Sequence, residues 1–199
     1  DLGGSASMSA AALYWPNTSR LEAFGAFPTS PTLPDRGQSD GVRDRYVEMH
    51  DRGELLTMGE RIVPAAEFLR AIMDQLDGAP VQCFVADRYR QAEFEEALAA
   101  AKIRVPVVWR GMGFKDGGED CERFRSAVFD DRVAVTPSLL LRSALADAVT
   151  LSDPAGNMKV AKGRSTGRID AAAAAVLAVA EGQRRLNRPQ PDVREPLWA

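Results

Sequence analysis

Residues 65–109 read AAEFLRAIMDQLDGAPVQCFVADRYRQAEFEEALAAAKIRVPVVW, and this stretch decides the fold. Phe68, Leu69, Ile72, Met73 and Leu76 recur at the spacing of one helical face, with Pro64 just before and Gly78 just after. Residues 81–86 follow as a short apolar run, the type of strand expected at the buried centre of a sheet, and it leads into Asp87. Residues 91–102 return to a helical period, with Phe94, Leu98 and Ala101 on one side, and residues 105–109 form a second buried strand. Helix, strand, helix, strand in that order predicts parallel pairing with helices on the faces of the sheet.

Working upstream, residues 9–15 and 20–27 are extended and split by Pro16-Asn17-Thr18-Ser19, which is turn chemistry and predicts an antiparallel hairpin. Residues 28–41 hold three prolines and read as a loop. A short helix over 43–52 ends at Gly53, and a strand over 55–63 is interrupted by Gly59. Downstream, 111–118 is a glycine-rich loop, 119–129 a helix and 133–135 a short strand. Pro137 leads a helix over 139–149, as suits proline near a helix start. Residues 150–152 and 157–162 form a hairpin around Asp153-Pro-Ala-Gly, and the last helix covers 168–185. Residues 187–199 carry Pro189, Pro191 and Pro196 and read as a tail beyond one domain at 1–186. The expected class is α/β, a mixed sheet of an antiparallel hairpin plus parallel strands with helices on both faces.

Composition agrees with one soluble domain. The chain has 199 residues, 45% of them hydrophobic and 27% charged, and no apolar run long enough to span a membrane. Cys83 and Cys121 match no metal spacing and read as reduced thiols of a cytoplasmic protein, Cys83 in a core strand. The net charge of -3 argues only weakly against a nucleic-acid partner, because charge distribution matters more than its sum. Between 158 and 168 stand Lys159, Lys162, Arg164 and Arg168 with no acid among them. Such a basic stripe can track phosphates; its plain alternative is a solvated loop.

Three acids stand where a fold can deliver a carboxylate. Asp1 opens Asp-Leu-Gly-Gly-Ser, Asp87 ends an apolar run, and Asp170 opens the alanine-rich last helix. Each has an ordinary explanation: a fragment end, a helix cap, and a side chain favoured by a helix dipole. The joint pattern is more specific. Ordered along the chain are Asp1-Leu-Gly-Gly-Ser with Ser7-Met-Ser-Ala-Ala-Ala-Leu-Tyr-Trp, Ala86-Asp-Arg-Tyr-Arg, Leu139-Leu-Leu-Arg-Ser-Ala, Asp153-Pro-Ala-Gly-Asn-Met-Lys-Val-Ala-Lys and Gly167-Arg-Ile-Asp-Ala-Ala. In this order they resemble the C-terminal nuclease domain of large terminase subunits from tailed phages and gene-transfer particles.

That resemblance implies a ribonuclease-H-like fold and a metal-dependent endonuclease cutting concatemeric viral DNA, that is, end-to-end genome copies, during packaging. It places the family acids on Asp1, Asp87 and Asp170, and a hairpin near the DNA path at 153–162. It also implies double-stranded DNA, a preceding packaging ATPase domain, a portal and a small terminase subunit as partners, in the bacterial host cytoplasm. No Walker-type phosphate loop occurs in this chain. In the family the first acid follows a central strand, and nothing precedes Asp1, so the sequence is expected to be trimmed at its start.

Phosphodiester hydrolysis with such acids uses two divalent ions, Mg2+ or Mn2+, about 3.5–4 Å apart, both of which accept hard carboxylate oxygens. Asp1 is then expected to bridge both ions, and Asp87 and Asp170 to complete one each. Lys159, Lys162, Arg164, Arg168 and Arg88 are the expected phosphate contacts, with lysine-guarded edge strand as the plain reading of the first two. Arg90 is open between steering DNA and pairing with an acid. His50 reads as solvated, Asp153 as the start of a turn, and Glu119, Asp120 and Asp147 as solvent-facing. Gly111-Met-Gly-Phe lacks the third glycine of a dinucleotide loop. Alternatives are a junction resolvase or transposase core, an actin-like sugar kinase suggested by Asp-Leu-Gly-Gly-Ser, and a non-catalytic docking module of the packaging motor that uses the tail and Trp198. Manganese-dependent nicking of plasmid separates the docking module from the nucleases.

Overall fold

The computed structural model describes residues 1–5, 7–165 and 167–188. Its organising element is the hairpin of β1 (Ser9–Trp15) and β2 (Arg20–Phe27), antiparallel from Ser9 opposite Ala26 to Trp15 opposite Arg20. Side chains alternate across the pleat. Ala10, Leu21, Ala23 and Phe27 enter one hydrophobic cluster, and Ala11, Phe24 and Ala26 enter another. The hairpin is therefore a wall with a core on each side. Met8, Leu21 and Phe27 are fully buried, each stabilising by about 1.5–3 kcal/mol relative to exposure.

The far edge of β2 carries two parallel partners in tandem. β3 (Leu55–Thr57) pairs with 25–27, and β6 (Ala134–Val135) pairs with Arg20 and Leu21. β4 (Phe84–Asp87) and β5 (Val107–Arg110) form a separate parallel pair, and β7 (Thr150–Ser152) and β8 (Met158–Val160) an antiparallel hairpin. The first cluster lies under α2 (Arg45–Asp51), α6 (Leu139–Asp147) and α7 (Asp170–Leu186). The second lies under α3 (Ala65–Gln75) and α4 (Gln91–Ala101). The expected mixed sheet with helices on both faces is what forms.

Alanine lets α7 approach the sheet: residues 171–175 are all alanine and all buried against β1 and β2. Further along, a Cβ on Gly182 would lie 2.4 Å from Tyr14 Cδ1, so only glycine admits that ring. The Tyr14 hydroxyl donates to the Arg132 carbonyl (2.6 Å) and accepts from Gln183 Nε2 (2.6 Å), pinning β1 to both neighbours.

Two expected loops are partly helical. Within 28–41, α1 (Leu33–Ser39) forms because Pro34 sits in the first turn, where no backbone donor is needed, and Thr32 accepts from the Asp35 N–H at 3.4 Å. α5 (Phe114–Phe129) starts inside the glycine-rich stretch. Gly117 and Gly118 are helical because β8 packs against them: a Cβ on Gly118 would lie 3.3 Å from Asn157 Cβ. The strand expected over 55–63 stops at Thr57, and Gly59 turns with φ +70°. Cys83 stands just before β4, half-buried, and both cysteine thiols are free and pushed up in pKa chiefly by burial. Among the described residues no helix is long and apolar enough to cross a membrane. Of the expected tail, 189–199 and its Trp198 lie outside the described residues.

Candidate active site

Asp1 is fixed by its backbone. Its nitrogen donates to the Ala10 carbonyl and its carbonyl accepts from the Ala10 N–H, both at 2.9 Å, so Asp1 lies alongside β1. The chain must then fold back sharply to enter β1. Gly3 allows this, since a Cβ there would lie 2.5 Å from the Met8 carbonyl oxygen, and its N–H donates to Ser9 Oγ at 2.9 Å.

Asp87 is the last residue of β4, in register opposite Arg110 of β5. Its Oδ1 accepts the Tyr89 N–H at 3.0 Å and so caps the one-turn 3-10 helix Arg88–Arg90. Arg90 reaches back from that turn to donate to the Leu2 carbonyl at 2.6 Å and to Glu93 at 2.7 Å. Arg90 therefore ties the end of β4 to the segment that carries Asp1. The open question about its role resolves toward pairing.

Asp170 opens α7, just after the buried Ile169. Its Oδ1 accepts from Lys162 Nζ at 2.8 Å, and the same ammonium donates to Asp1 Oδ2. The side chains of Asp1 and Asp170 are 20% and 16% exposed, so this ion pair is partly shielded from water. The Asp170 and Asp87 carboxylates both lie within electrostatic reach of the Asp1 backbone nitrogen.

The structure thus joins Asp1 and Asp170 directly, through Lys162, and sets Asp87 within electrostatic reach of Asp1 with its carboxylate engaged by its own turn. Among the described residues no three His, Cys, Asp or Glu side chains stand close enough to hold a metal ion as they lie. The donor chemistry nonetheless fits a hard cation. The ligands are carboxylate oxygens, and a cationic ammonium already occupies the space between two of them.

The five expected phosphate contacts divide. Arg88 and Arg164 are exposed; Arg88 lies 3.8 Å from Asp116, and the Arg164 guanidinium has no hydrogen bond or ion pair among the described residues. Lys162 is held by the acids. Lys159 lies over the Phe114 ring, 4.7 Å from its centroid, and donates to the Met112 carbonyl at 3.4 Å. Arg168 donates through Nε to Asp40 at 2.9 Å, beside the Tyr46 hydroxyl, which donates to the same carboxylate at 2.8 Å. Burial works to raise the Asp40 pKa. Bonds from Arg168 and Tyr46, with the charges of Arg168 and Arg36, outweigh it and hold the carboxyl below its usual range.

The family model of the terminase large subunit endonuclease domain matches residues 21–185. This chain belongs to that family. The large terminase subunit of Enterobacteria phage HK97 is 34% identical over 148 residues, which are 74% of this chain and 29% of that protein. The crystal structure of the HK97 bacteriophage large terminase matches with a TM-score of 0.82 at 26% identity, over 91% of this chain and 38% of that one. The large terminase nuclease of thermophilic phage G20c matches with a TM-score of 0.57 over 92% of this chain and 78% of that one; at 13% identity it speaks to fold alone. The fold of this terminase nuclease domain is accordingly ribonuclease-H-like, and the chain spans 29% of the length of its curated relative.

A buried charge network of the terminase domain escaped the sequence reading. Asp120 was expected to face solvent and is 1% exposed. It accepts from Arg110 Nε at 2.9 Å and Nη2 at 3.0 Å, and from Arg184 at 2.6 Å. Glu181 joins Arg184 and Arg185 at 2.5 and 2.9 Å. The network ties β5 and α5 to α7, behind the strand pair that presents Asp87. A signal existed: Asp120, Phe124 and Ala127 share helical spacing, which puts the acid on the apolar face of α5. Asp147 is also half-buried, 3.8 Å from Arg45, while Glu119 is exposed as expected. Asp153 does start its turn, accepting the N–H groups of Ala155 and Asn157, both at 2.9 Å. His50 is exposed, and its Nδ1 is hydrogen-bonded to the Leu55 carbonyl at 2.7 Å.

Proposed function

We propose that this domain is a metal-dependent endodeoxyribonuclease that cuts concatemeric viral DNA during genome packaging. The observation that carries the reading is the shared cation: Lys162 held between Asp1 and Asp170, with Asp87 at the end of β4 within electrostatic reach of Asp1. Asp1, Asp87 and Asp170 would hold Mg2+ or Mn2+, two ions in all. When bound, these ions stabilise charge on the phosphodiester and generate a hydroxide nucleophile near neutral pH.

The protein's own groups do the rest. Asp1 and Asp170, which hold the Lys162 ammonium, would hold the harder cation in its place, and Lys162 would then face a DNA phosphate. Arg88 and Arg164, exposed near the site, bind backbone phosphates by charge and release counterions. Arg90 keeps the Asp1 and Asp87 segments at a fixed separation. Double-stranded DNA is the substrate. The packaging ATPase domain of the full-length subunit, the portal and the small terminase subunit are the partners, in the bacterial host cytoplasm.

Plasmid nicking tests the reading. Cutting is expected with manganese or magnesium, none with EDTA, and none for Asp87→Asn or Asp170→Asn; parental cutting by either variant removes that residue from the site. The Lys162 contact also fits a second reading, a non-catalytic docking module in which an ion pair replaces the metal. Absence of metal-dependent nicking by the parent chain selects it.

A further inference from the structure

Tyr89 is 91% exposed, beyond Phe129 at 79% and Ile62 at 52%. A tyrosine ring normally buries a large area and dominates the contacts it makes, so a ring left in water on a rigid support is unusual. The support here is rigid. The Tyr89 N–H is bonded to Asp87 Oδ1 at 3.0 Å, Arg90 is anchored to the Leu2 carbonyl at 2.6 Å and to Glu93 at 2.7 Å, and Arg88 lies 3.8 Å from Asp116. The backbone is braced from three sides while the ring, among the described residues, touches no aromatic partner and fills no core.

Its neighbours define what it can meet. Asp87 is two residues away, and the exposed guanidinium of Arg88, 63% accessible, stands beside it. An aromatic face next to a largely exposed arginine is the combination that binds nucleotides: the ring lies against a base or sugar, and the cation takes the phosphate. Tyrosine gives up little rotamer freedom on contact, having two χ angles.

We infer that Tyr89 is a DNA-contacting residue of this site, its ring packed against the nucleotides that flank the scissile phosphate while Arg88 holds a neighbouring phosphate. The inference rests on the nuclease reading above and assigns the side chain that grips substrate next to Asp87. The contact is tolerant of sequence, since every nucleotide of a duplex offers the same apolar deoxyribose surface.

The test is fluorescence anisotropy of a labelled duplex in EDTA, with thermal denaturation of each variant as the folding control. Tyr89→Ala is expected to weaken binding about tenfold, and Tyr89→Phe to bind like the parent. Tyr89→Trp should gain a DNA-dependent quench of indole emission over that of the parent. If the parent binds and cuts while Tyr89→Ala binds equally well, the inference fails and the nuclease reading stands. If Tyr89→Phe loses as much as Tyr89→Ala, the hydroxyl and not the ring makes the contact, and the inference is overturned. If the parent neither binds nor cuts DNA, the nuclease reading fails and takes this inference with it.

Discussion

Lys162 donates to the Asp170 carboxylate at 2.8 Å, across a separation of eight residues, and the same ammonium reaches Asp1 from the other end of the chain. One lysine therefore bridges two acids that the fold brings to it from 161 and eight residues away. Under the metal reading it competes with the cations it resembles.

Lys162→Ala should accordingly bind manganese several-fold more tightly than the parent. The variant loses little stability, because the lysine is 41% exposed and ion pairs of that exposure contribute about 0–1 kcal/mol. Calorimetric titration with manganese chloride, which needs no turnover, measures the affinity. Equal affinities in parent and variant would show that the ammonium does not block the ions.

Asp170→Asn should remove cutting and leave the fold standing. The side chain sits in the first turn of α7, where the lost charge forfeits at most about 0.3–1 kcal/mol of dipole interaction. Relief of repulsion toward Asp1 offsets part of that. Circular dichroism melts alongside the nicking assay give both answers, and a variant that unfolds at the growth temperature would turn Asp170 into a structural residue.

Much of this was legible because the apolar pattern repeats at the period of its element. Leu21, Ala23 and Phe27 alternate with Phe24 and Ala26, and Phe68, Leu69 and Ile72 recur at helical spacing, so hairpin and α3 stand close to where pattern puts them. α1 and the start of α5 were hidden by residues that usually break helices. Pro34 is harmless in a first turn, and Gly117–Gly118 is explained only by the hairpin packed on it. The acids could be singled out as candidates, yet their partners could not. Arg168 meets Asp40 and Lys162 meets Asp1 through contacts of 128 and 161 residues separation, which no local period encodes.

Gly182→Ala should destabilise by about 1–3 kcal/mol, the usual range for forcing extra volume into a packed site. The new methyl would lie 2.4 and 2.7 Å from two Tyr14 ring carbons and 3.0 Å from Pro16 Cγ, and Tyr14 is held by two hydrogen bonds. A melting temperature lower by several degrees is expected for a chain of this size. The double variant Tyr14→Ala with Gly182→Ala should show less than the sum of the two single effects, since both act through one contact.

Asp120→Ala should be the most damaging of the single changes, at about 3–5 kcal/mol, because it strands Arg110 and Arg184 without their shared carboxylate. Their side chains are 15% and 19% exposed, too little for water to replace the lost bonds fully. Urea denaturation of parent and variant measures the difference, and a loss below about 1 kcal/mol would mean that the contacts Arg110 and Arg184 already make with Glu119 and Glu181 suffice without Asp120.

Asp40 gives the acid limb of stability a specific source. Its folded pKa lies below the ordinary carboxylate value although burial alone would raise it; the bonds from Arg168 and Tyr46, with the nearby arginine charges, prevail. A group depressed in the folded state contributes stability that is fully present above its unfolded pKa, about 3.9, and is lost as pH falls through the folded value. Removing the charge should therefore matter at neutral pH and fade in acid. Asp40→Asn should be less stable than the parent above about pH 5 and converge with it below the folded pKa. Urea midpoints across that range decide the point: parallel curves at all pH values would mean that Arg168 stabilises the 40–46 segment by packing, with no contribution from the Asp40 charge.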